Sequence, residues 1–481
     1  MNNNINALKS GIWYTAANFL TKSIGLITTP LFTRLLTKND FGAYNNYTSW
    51  LAILTIITTM YLESTFISAR FDFEKDFDGY IFSSLSLSSL SVLIWFAIIN
   101  TFSTFFTSFF KLDIVYINCM LLYLLLSPAI QMYQTREQYH FRYKKTVLIS
   151  LLLTIGTALL SVLLVTNMQN RLSGRIYGSA SATILIGIVL YVIIAARGKR
   201  IRIRYWKYAL PICLPFIPHL LSMTLLNSMD RIMITDICGE EQNALYSLAY
   251  SCGAIVTMLL TSLNSAFSPW LGEKLHNEEY KEIGDFSKIY ISVFMYMAVG
   301  IMLLTPEVLL FMGGRQYMEA KYVMPPITCG VSFQFLYTMF VNVEQFKKKT
   351  IGMAIASASA ALLNYGLNAF FIPRFGYIAA AYTTLAGYLW LLAAHMFLVK
   401  RLGYDKTYDY KFVIGVAALL LLITMGVNFI YGYTVIRYAI IFVYGGTTVF
   451  IAVKYGNIML NKFKSMKKSK AQIGGNHDRS E

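Results

Sequence analysis

Fourteen mostly uncharged runs of about twenty residues follow one another along this chain, and no other feature limits its folding as severely. They lie at roughly 11–33, 43–67, 80–100, 114–133, 146–166, 176–196, 208–235, 244–268, 289–311, 321–344, 351–372, 377–399, 411–431 and 435–457. Wound as a helix at about 1.5 Å per residue, a run of that length matches the roughly 30 Å hydrocarbon core of a bilayer. A soluble protein with a large buried core is the alternative, but it would need polar surface. Hydrophobic residues make up 56% of the 481 and charged residues 14%, against about 25% charged in a soluble chain. The expected fold class is an all-α polytopic membrane protein with about 14 transmembrane helices.

The net charge of +17 does not point to nucleic acid, because of where the charge sits. With the N-terminus inside, the inner segments carry 30 of the 41 Lys and Arg and the outer segments 9, while Lys22 and Arg231 lie within helices. That bias follows the positive-inside rule and places both termini in the cytoplasm. ARGKRIRIRYWK, residues 196–207, weighs most in it. The start, MNNNINALKSG, is polar and leads into a span too long for a signal-peptide core, with no small-residue cleavage pattern. The first helix is therefore expected to be retained.

Five scattered cysteines without a CxxC pair and five dispersed histidines support neither a metal site nor a disulfide framework. No cofactor is expected. The longest connection, near 269–288, is only about twenty residues, and no GxxxxGK[ST] or GxSxG pattern occurs. The chain is expected to move something across a membrane, not to be an enzyme.

A repeat divides it. EQYHFRYKKT at 137–146 and EQFKKKT at 344–350 follow the fourth and tenth runs, TRLLTKNDFGAY (33–44) lies over TDICGEEQNALY (235–246), and KR at 199–200 lies over KR at 400–401. Three matches in register give a two-fold repeat. Six helices per half is an even number, so the halves share orientation, the parallel-repeat plan of alternating-access transporters. The expected domains are residues 1–204 and 205–404 as two six-helix lobes, 405–460 as an additional helix pair, and 461–481 as a basic, disordered cytoplasmic tail. The near half of that tail can rest on anionic lipids at about 1 kcal/mol per basic residue.

The stretch TTPLFTRLLTKNDFGAYNNY, with Pro30, Arg34, Phe41, Gly42 and Tyr44, resembles the opening of the lipid-linked oligosaccharide flippases. These include the O-antigen and capsule exporters of the multidrug/oligosaccharidyl-lipid/polysaccharide (MOP) superfamily. DRIMITDICGEEQNALYSLAY, FMGGRQYMEAKYVMPPI (311–327) and IPRFGYIAAAYTTL (372–385) are similar to the same family's later signatures, with Ala244 standing where the family usually has Gly. The resemblance spans nearly the whole chain. It implies a MATE-like, V-shaped pair of lobes around a central cavity in a bacterial inner membrane. The implied task is to move an undecaprenyl-diphosphate-linked repeat unit from the cytoplasmic to the outer leaflet without ATP hydrolysis. A polysaccharide polymerase and a chain-length regulator are the implied partners.

Polar residues inside the runs are the candidate site. Thr15, Asn18, Lys22, Gly25 and Thr29 are spaced to share one helix face. A lysine at this depth costs several kcal/mol against lipid. The stripe is therefore either a helix–helix contact with a paired Lys22 or a cavity wall offering an ammonium to an anionic headgroup. Glu63 is a possible partner of Lys22 or a coupling group. The seventh run begins with Pro211, Pro215 and Pro218, a packed kink or a bending point for alternating access. Further along it, Asn227 extends a polar face toward Asp230 and Arg231. These two adjacent residues point about 100° apart and so face different surroundings. Either they clamp neighbouring helices, or Arg231, held by Asp230, contacts a diphosphate or sugar carboxylate, which its planar fork suits. Lys22 and Arg231 against Glu63 and Asp230 sum to zero, which is too few positive charges for an anionic cargo. The rival readings are a cation-coupled multidrug exporter, with an acidic cavity, and a membrane scaffold that tolerates substitution at all of these positions.

Overall fold

A computed structural model describes residues 20–454, except 22, 141, 348, 451 and 452. Over the described residues, each of the fourteen runs falls on helix. The first helix is described over 20–35. The next five are Lys38–Thr59, Phe77–Thr101, Ile114–Tyr139, Tyr143–Asn167 and Arg171–Gly198. The seventh is Ile203–Cys213 continued by Ile217–Cys238, and the eighth and ninth are Glu240–His276 and Tyr280–Leu303. Met324–Phe346, Thr350–Phe375, Tyr377–Arg401, Tyr410–Ile430 and Thr434–Phe450 complete the series.

Among the described residues ten helices are long and apolar enough to cross a membrane, or eleven if the second helix and its bent continuation count as one span. The tenth helix is not one of them. It carries Thr328, Ser332, Asn342 and Glu344, all buried, because it runs through the protein interior and meets little lipid. A helix in that position needs less apolar surface than one facing hydrocarbon.

Two local features differ from expectation. The connection expected near 269–288 is almost all helix, since the eighth helix continues to His276 and the ninth starts at Tyr280. The sharper break lies in the second span, which bends by 47° between Lys38–Thr59 and Leu62–Asp72. Met60 and Tyr61 adopt left-handed φ of 54° and 51° there, a conformation that no glycine or proline announces. The triple-proline segment makes a milder interruption. Pro211 sits in the last turn of Ile203–Cys213, Leu214–Phe216 tightens into a 3-10 turn, and Pro218 opens the next helix, where its missing N–H costs nothing.

Core packing follows the halves of the chain. Leu62, Tyr80, Ile130, Ile194 and Tyr205 belong to one apolar cluster built from the early helices. Leu226, Phe294, Phe335, Leu391 and Val413 belong to another built from the later ones. The fourteenth helix lies against the ninth, Tyr444 stacking on Tyr296 at 4.3 Å, with Gly300 leaving room for the Tyr444 ring.

A third cluster, including Phe32, Phe41, Tyr246, Leu309 and Tyr317, joins the two halves at the end of the molecule opposite the basic connections. Polar contacts reinforce it. Thr33 Oγ1 donates to Met312 O at 2.6 Å, Arg34 to Phe311 O at 3.2 Å, Gln316 to Thr33 O at 3.1 Å, and Asn243 to Gly42 O at 2.9 Å. This end is sealed. Toward the basic end the eighth helix exposes Thr261, Ser262 and Ser265.

Candidate functional site

The first helix separates two cavities. One, about 460 Å³, lies toward the second half of the chain. Its walls include Gly25 and Thr29 from the first helix, Asn227 from the seventh, Tyr250 and Thr257 from the eighth, and Gln334 from the tenth. The other, about 380 Å³, lies toward the first half and is lined by Gly25 and Thr28, Tyr123, Thr154, Thr157, Arg175 and Thr183. Neither lining includes a carboxylate among the described residues. Thr29 spends its hydroxyl on Gly25 O at 2.9 Å.

Arg175 is the residue that sequence reasoning missed. A run beginning at 176 leaves it on an outer connection, but the sixth helix starts at Arg171, capped by Asn170, whose side chain accepts from the Ser173 N–H. Gly174 and Gly178, one turn apart, let this helix press on the fifth, where a Cβ at Gly174 would come within 2.7 Å of Leu164 O. That GxxxG spacing, a close-packing signal inside membrane helices, is what could have located Arg175 within the bilayer. The guanidinium lies over the Phe32 ring at 3.6 Å and the Tyr44 ring at 4.3 Å. No ion pair holds it among the described residues, and its buried Nε has no hydrogen-bond partner.

Arg231 has the same character on the other side. Its guanidinium lies 4.5 Å from the Tyr250 ring, beside the larger cavity, and its buried Nε is also unsatisfied. Asn227 accepts from Tyr250 and Tyr388, both at 3.2 Å, which fixes the cavity wall next to it.

Asp230 does not hold Arg231 in place. It is fully buried and accepts from Tyr246 Oη at 2.5 Å, Asn368 Nδ2 at 2.6 Å and Thr384 Oγ1. Thr383 donates to Asn368 Oδ1, and Asn364 and Asn368 bond each other at 3.2 Å. The carboxylate thus ties the seventh helix to the eighth, eleventh and twelfth. Asn364 and Asn368, one turn apart in an apolar run, were the legible signal for this shell. Charge-assisted bonds of this kind are each worth roughly 1.5–3 kcal/mol when buried.

The remaining sequence candidates separate. Lys22 and Asn18 lie outside the described residues, as does any contact between Lys22 and Glu63. Glu63 sits in the short 3-10 turn after the second-span break, with one carboxylate oxygen buried and unsatisfied. Pro211, Pro215 and Pro218 line neither cavity. Among the described residues no cluster of His, Cys, Asp and Glu could hold a metal ion.

The family described as "Polysaccharide biosynthesis protein" matches residues 7–275. A curated relative, "Lsg locus putative protein 1" of Haemophilus influenzae, is 22% identical over 356 residues, 69% of this chain and 83% of that protein. Among solved structures, "Lipid II flippase MurJ, inward closed conformation" superposes with a TM-score of 0.66 at 15% identity, covering 93% of this chain and all of that one. The inward-facing conformation of a multidrug resistance MATE family transporter of the MOP superfamily gives 0.64 at 14% identity, over 80% and 95% of the two chains. The fold of these two solved structures is therefore the fold of this chain.

Proposed function

Because the chain belongs to the polysaccharide biosynthesis protein family, we propose that it is a flippase of the bacterial inner membrane. It moves an undecaprenyl-diphosphate-linked oligosaccharide from the cytoplasmic to the outer leaflet, for O-antigen, capsule or exopolysaccharide assembly. Residues 1–204 and 205–404 act as two lobes that rock about the cavity, with the pair 405–460 alongside. The basic end faces the cytoplasm, as the positive-inside rule requires. The protein supplies sites and motion and carries out no covalent chemistry. Its product is the substrate a polymerase takes up on the outer side.

One observation carries the reading: Arg175 and Arg231 flank the first helix, each stacked on aromatic rings, each with an unsatisfied buried Nε, beside cavities lined without acid. A guanidinium presents parallel N–H donors that match phosphate oxygens. The threonine, asparagine and glutamine groups around it suit sugar hydroxyls. Arg175 also supplies the positive charge that the sequence count lacked. The acid-lined cavity that a cation exporter requires is not what these linings offer. Outward movement of two negative charges down an inside-negative potential gains about 4.6 kcal/mol per 100 mV, so the cargo contributes its own driving force. The cycle then needs the outer seal of Thr33, Gly42, Asn243 and Met312 to part.

The test is translocation of a fluorescent diphosphate-linked oligosaccharide lipid in proteoliposomes, with protein amounts matched. Losing one charge-assisted contact worth roughly 1.5–3 kcal/mol lowers the rate about 10- to 100-fold in Arg175→Gln and in Arg231→Gln. Lys22→Ala is the corresponding test of the first helix. Wild-type rates in both arginine variants would sink the assigned roles.

A second reading concerns coupling. The Asp230 shell surrounds one carboxylate with the neutral hydroxyls of Tyr246, Thr383 and Thr384 and the amides of Asn364 and Asn368, with Asn368 Nδ2 donating to it. A net charge of −1 beside hydroxyl and amide groups suits a singly charged hard cation. Exchange of sodium for potassium should alter wild-type transport and leave Asp230→Asn unaffected. An equal sodium response in that variant removes Asp230 from coupling.

A further inference from the structure

The repeat places a buried glutamate at the same point in each half, at the basic end of the fourth and tenth helices, and the two are neutralised differently. Glu137 and Glu344 begin the matching EQ segments. Each backbone carbonyl accepts from the residue five positions on, Arg142 N–H at 2.9 Å and Lys349 N–H at 3.1 Å. Both side chains are fully buried. Glu137 sits among fixed cations: Arg136 at 2.6 Å, with Arg142 and Lys145 at 3.8 Å. Among the described residues Glu344 has one side-chain partner, His395 of the twelfth helix, whose Nδ1 lies 2.7 Å from Oε1, and its other oxygen is buried without a hydrogen bond.

We propose that Glu344 and His395 form a proton-binding site, in which one exchangeable proton decides how tightly the tenth and twelfth helices pack at the basic end of the second half. Coupling to transport rests on the flippase reading above; proton binding does not.

The difference between the two sites is electrostatic. With one proton the pair is neutral overall, either as carboxylate with imidazolium or as carboxylic acid with imidazole, and titrates as a unit. Without it, a carboxylate is left buried beside a neutral ring, with an oxygen that no donor reaches. Burying an uncompensated charge costs several kcal/mol. The packed arrangement is therefore favoured while the proton is bound. Its loss favours any arrangement that admits water. Histidine is the side chain whose ordinary range makes that exchange possible near neutral pH. Glu137 cannot behave in this way, since arginine and lysine keep their charge throughout.

Among the described residues no nearby fixed charge replaces the proton. From the tenth helix the Tyr337 ring stacks on His395 at 5.4 Å, and Tyr388 of the twelfth stacks on Tyr337 at 6.3 Å. Lys347 is turned onto the Tyr404 ring at 4.4 Å. Tyr408 and Tyr410 spend their hydroxyls on the carbonyls of Met339 and Met396. The eighth helix meets the tenth through neutral Asn264 on Asn342, and the ninth through Tyr290 on Phe335. Residues 350–363 of the eleventh helix hold no titratable side chain. The stack also reaches the cavity, because Tyr388 bonds Asn227.

The experiment uses full-length protein in nanodiscs, labelled with ¹⁵N at its five histidines, the His395 signal being assigned by its loss in His395→Gln. Between pH 5 and 8 the His395 ring signals should respond to pH, and Glu344→Gln should change that response. A His395 signal constant over that range, or a response unchanged by Glu344→Gln, overturns the site. His395→Lys, which copies the fixed cation beside Glu137, covers the case in which the glutamine variants do not fold. In proteoliposomes the wild-type rate should change by up to about tenfold per pH unit, the limit for one proton, and in His395→Lys the response should flatten. A wild-type response kept in His395→Lys overturns the coupling. If no pH supports movement of a diphosphate-linked lipid while His395 still titrates, the flippase reading fails and the proton site stands.

Discussion

Gly42→Ala should open the sealed end of this transporter. Gly42 lies where the second helix crosses the start of the eighth, and its carbonyl accepts from Asn243 Nδ2 at 2.9 Å. A methyl built there falls 2.6 Å from the Glu240 carbonyl carbon and 3.1 Å from its Cα. Carbon atoms pack at about 3.5–4.0 Å, so the two backbones must separate by roughly 1 Å, and the obstacle is main chain that cannot swing aside. Overpacking of this kind costs about 1–3 kcal/mol, and only the sealed arrangement bears it. The ratio of outward-open to sealed molecules should rise by about 5- to 150-fold.

The readout is the labelling rate of a Thr257→Cys reporter, on the cavity wall, by an impermeant maleimide added from the outer side. Cys119 and Cys238, the two native thiols that are not buried, are first replaced by serine. Gly415→Ala is the control, because nothing stands within 4 Å of a Cβ there. Labelling of the Gly42→Ala protein at the control rate would refute the claim that this crossing seals the outer end.

Three further outcomes follow from the same contacts. Thr384→Val removes a buried donor from Asp230 at nearly constant volume and should cost roughly 1.5–3 kcal/mol, read as a lower melting midpoint of the purified protein. Arg437→Met strands Glu307, which Arg437 engages through two bonds of 2.6 Å; with Glu307 partly exposed, the loss should be about 1–3 kcal/mol, seen in the same assay. Lys288 and the Phe412 N–H hold the Asp409 carboxyl below the usual aspartate range. That contribution is fully present above the ordinary aspartate pKa and is lost as pH falls through the lowered one. Acid scans should therefore show a shallower loss of melting temperature in Asp409→Asn than in wild type, and parallel curves would contradict the assignment.

Much of the architecture was legible in the sequence because lipid leaves a segment so few choices. A twenty-residue apolar run must close its own hydrogen bonds, so fourteen runs become helices whatever surrounds them. The sequence also offered a repeat, in the matching segments EQYHFRYKKT and EQFKKKT. Asp230 and Arg231 stood out because formal charge is costly at that depth, and adjacency on a helix already implied separate partners.

What those partners are was decided by tertiary structure. Asp230 meets Tyr246, Asn368 and Thr384, residues 16, 138 and 154 positions away along the chain, and no local pattern encodes such pairings. Arg175 appeared to belong to a connection until the cap at Asn170 and the glycine-packed crossing carried it inside. The 47° break at Met60 and Tyr61 has no sequence marker, because packing on both sides imposes the left-handed turn. Glu344 likewise passes for an interfacial acid until the twelfth helix brings His395 against it. The sequence by itself determined that the chain is a series of apolar helices and which charges needed explaining, through a solvent that penalises every unsatisfied polar group. The tertiary structure decided how each of those charges is satisfied, because that depends on which distant helix packs beside it.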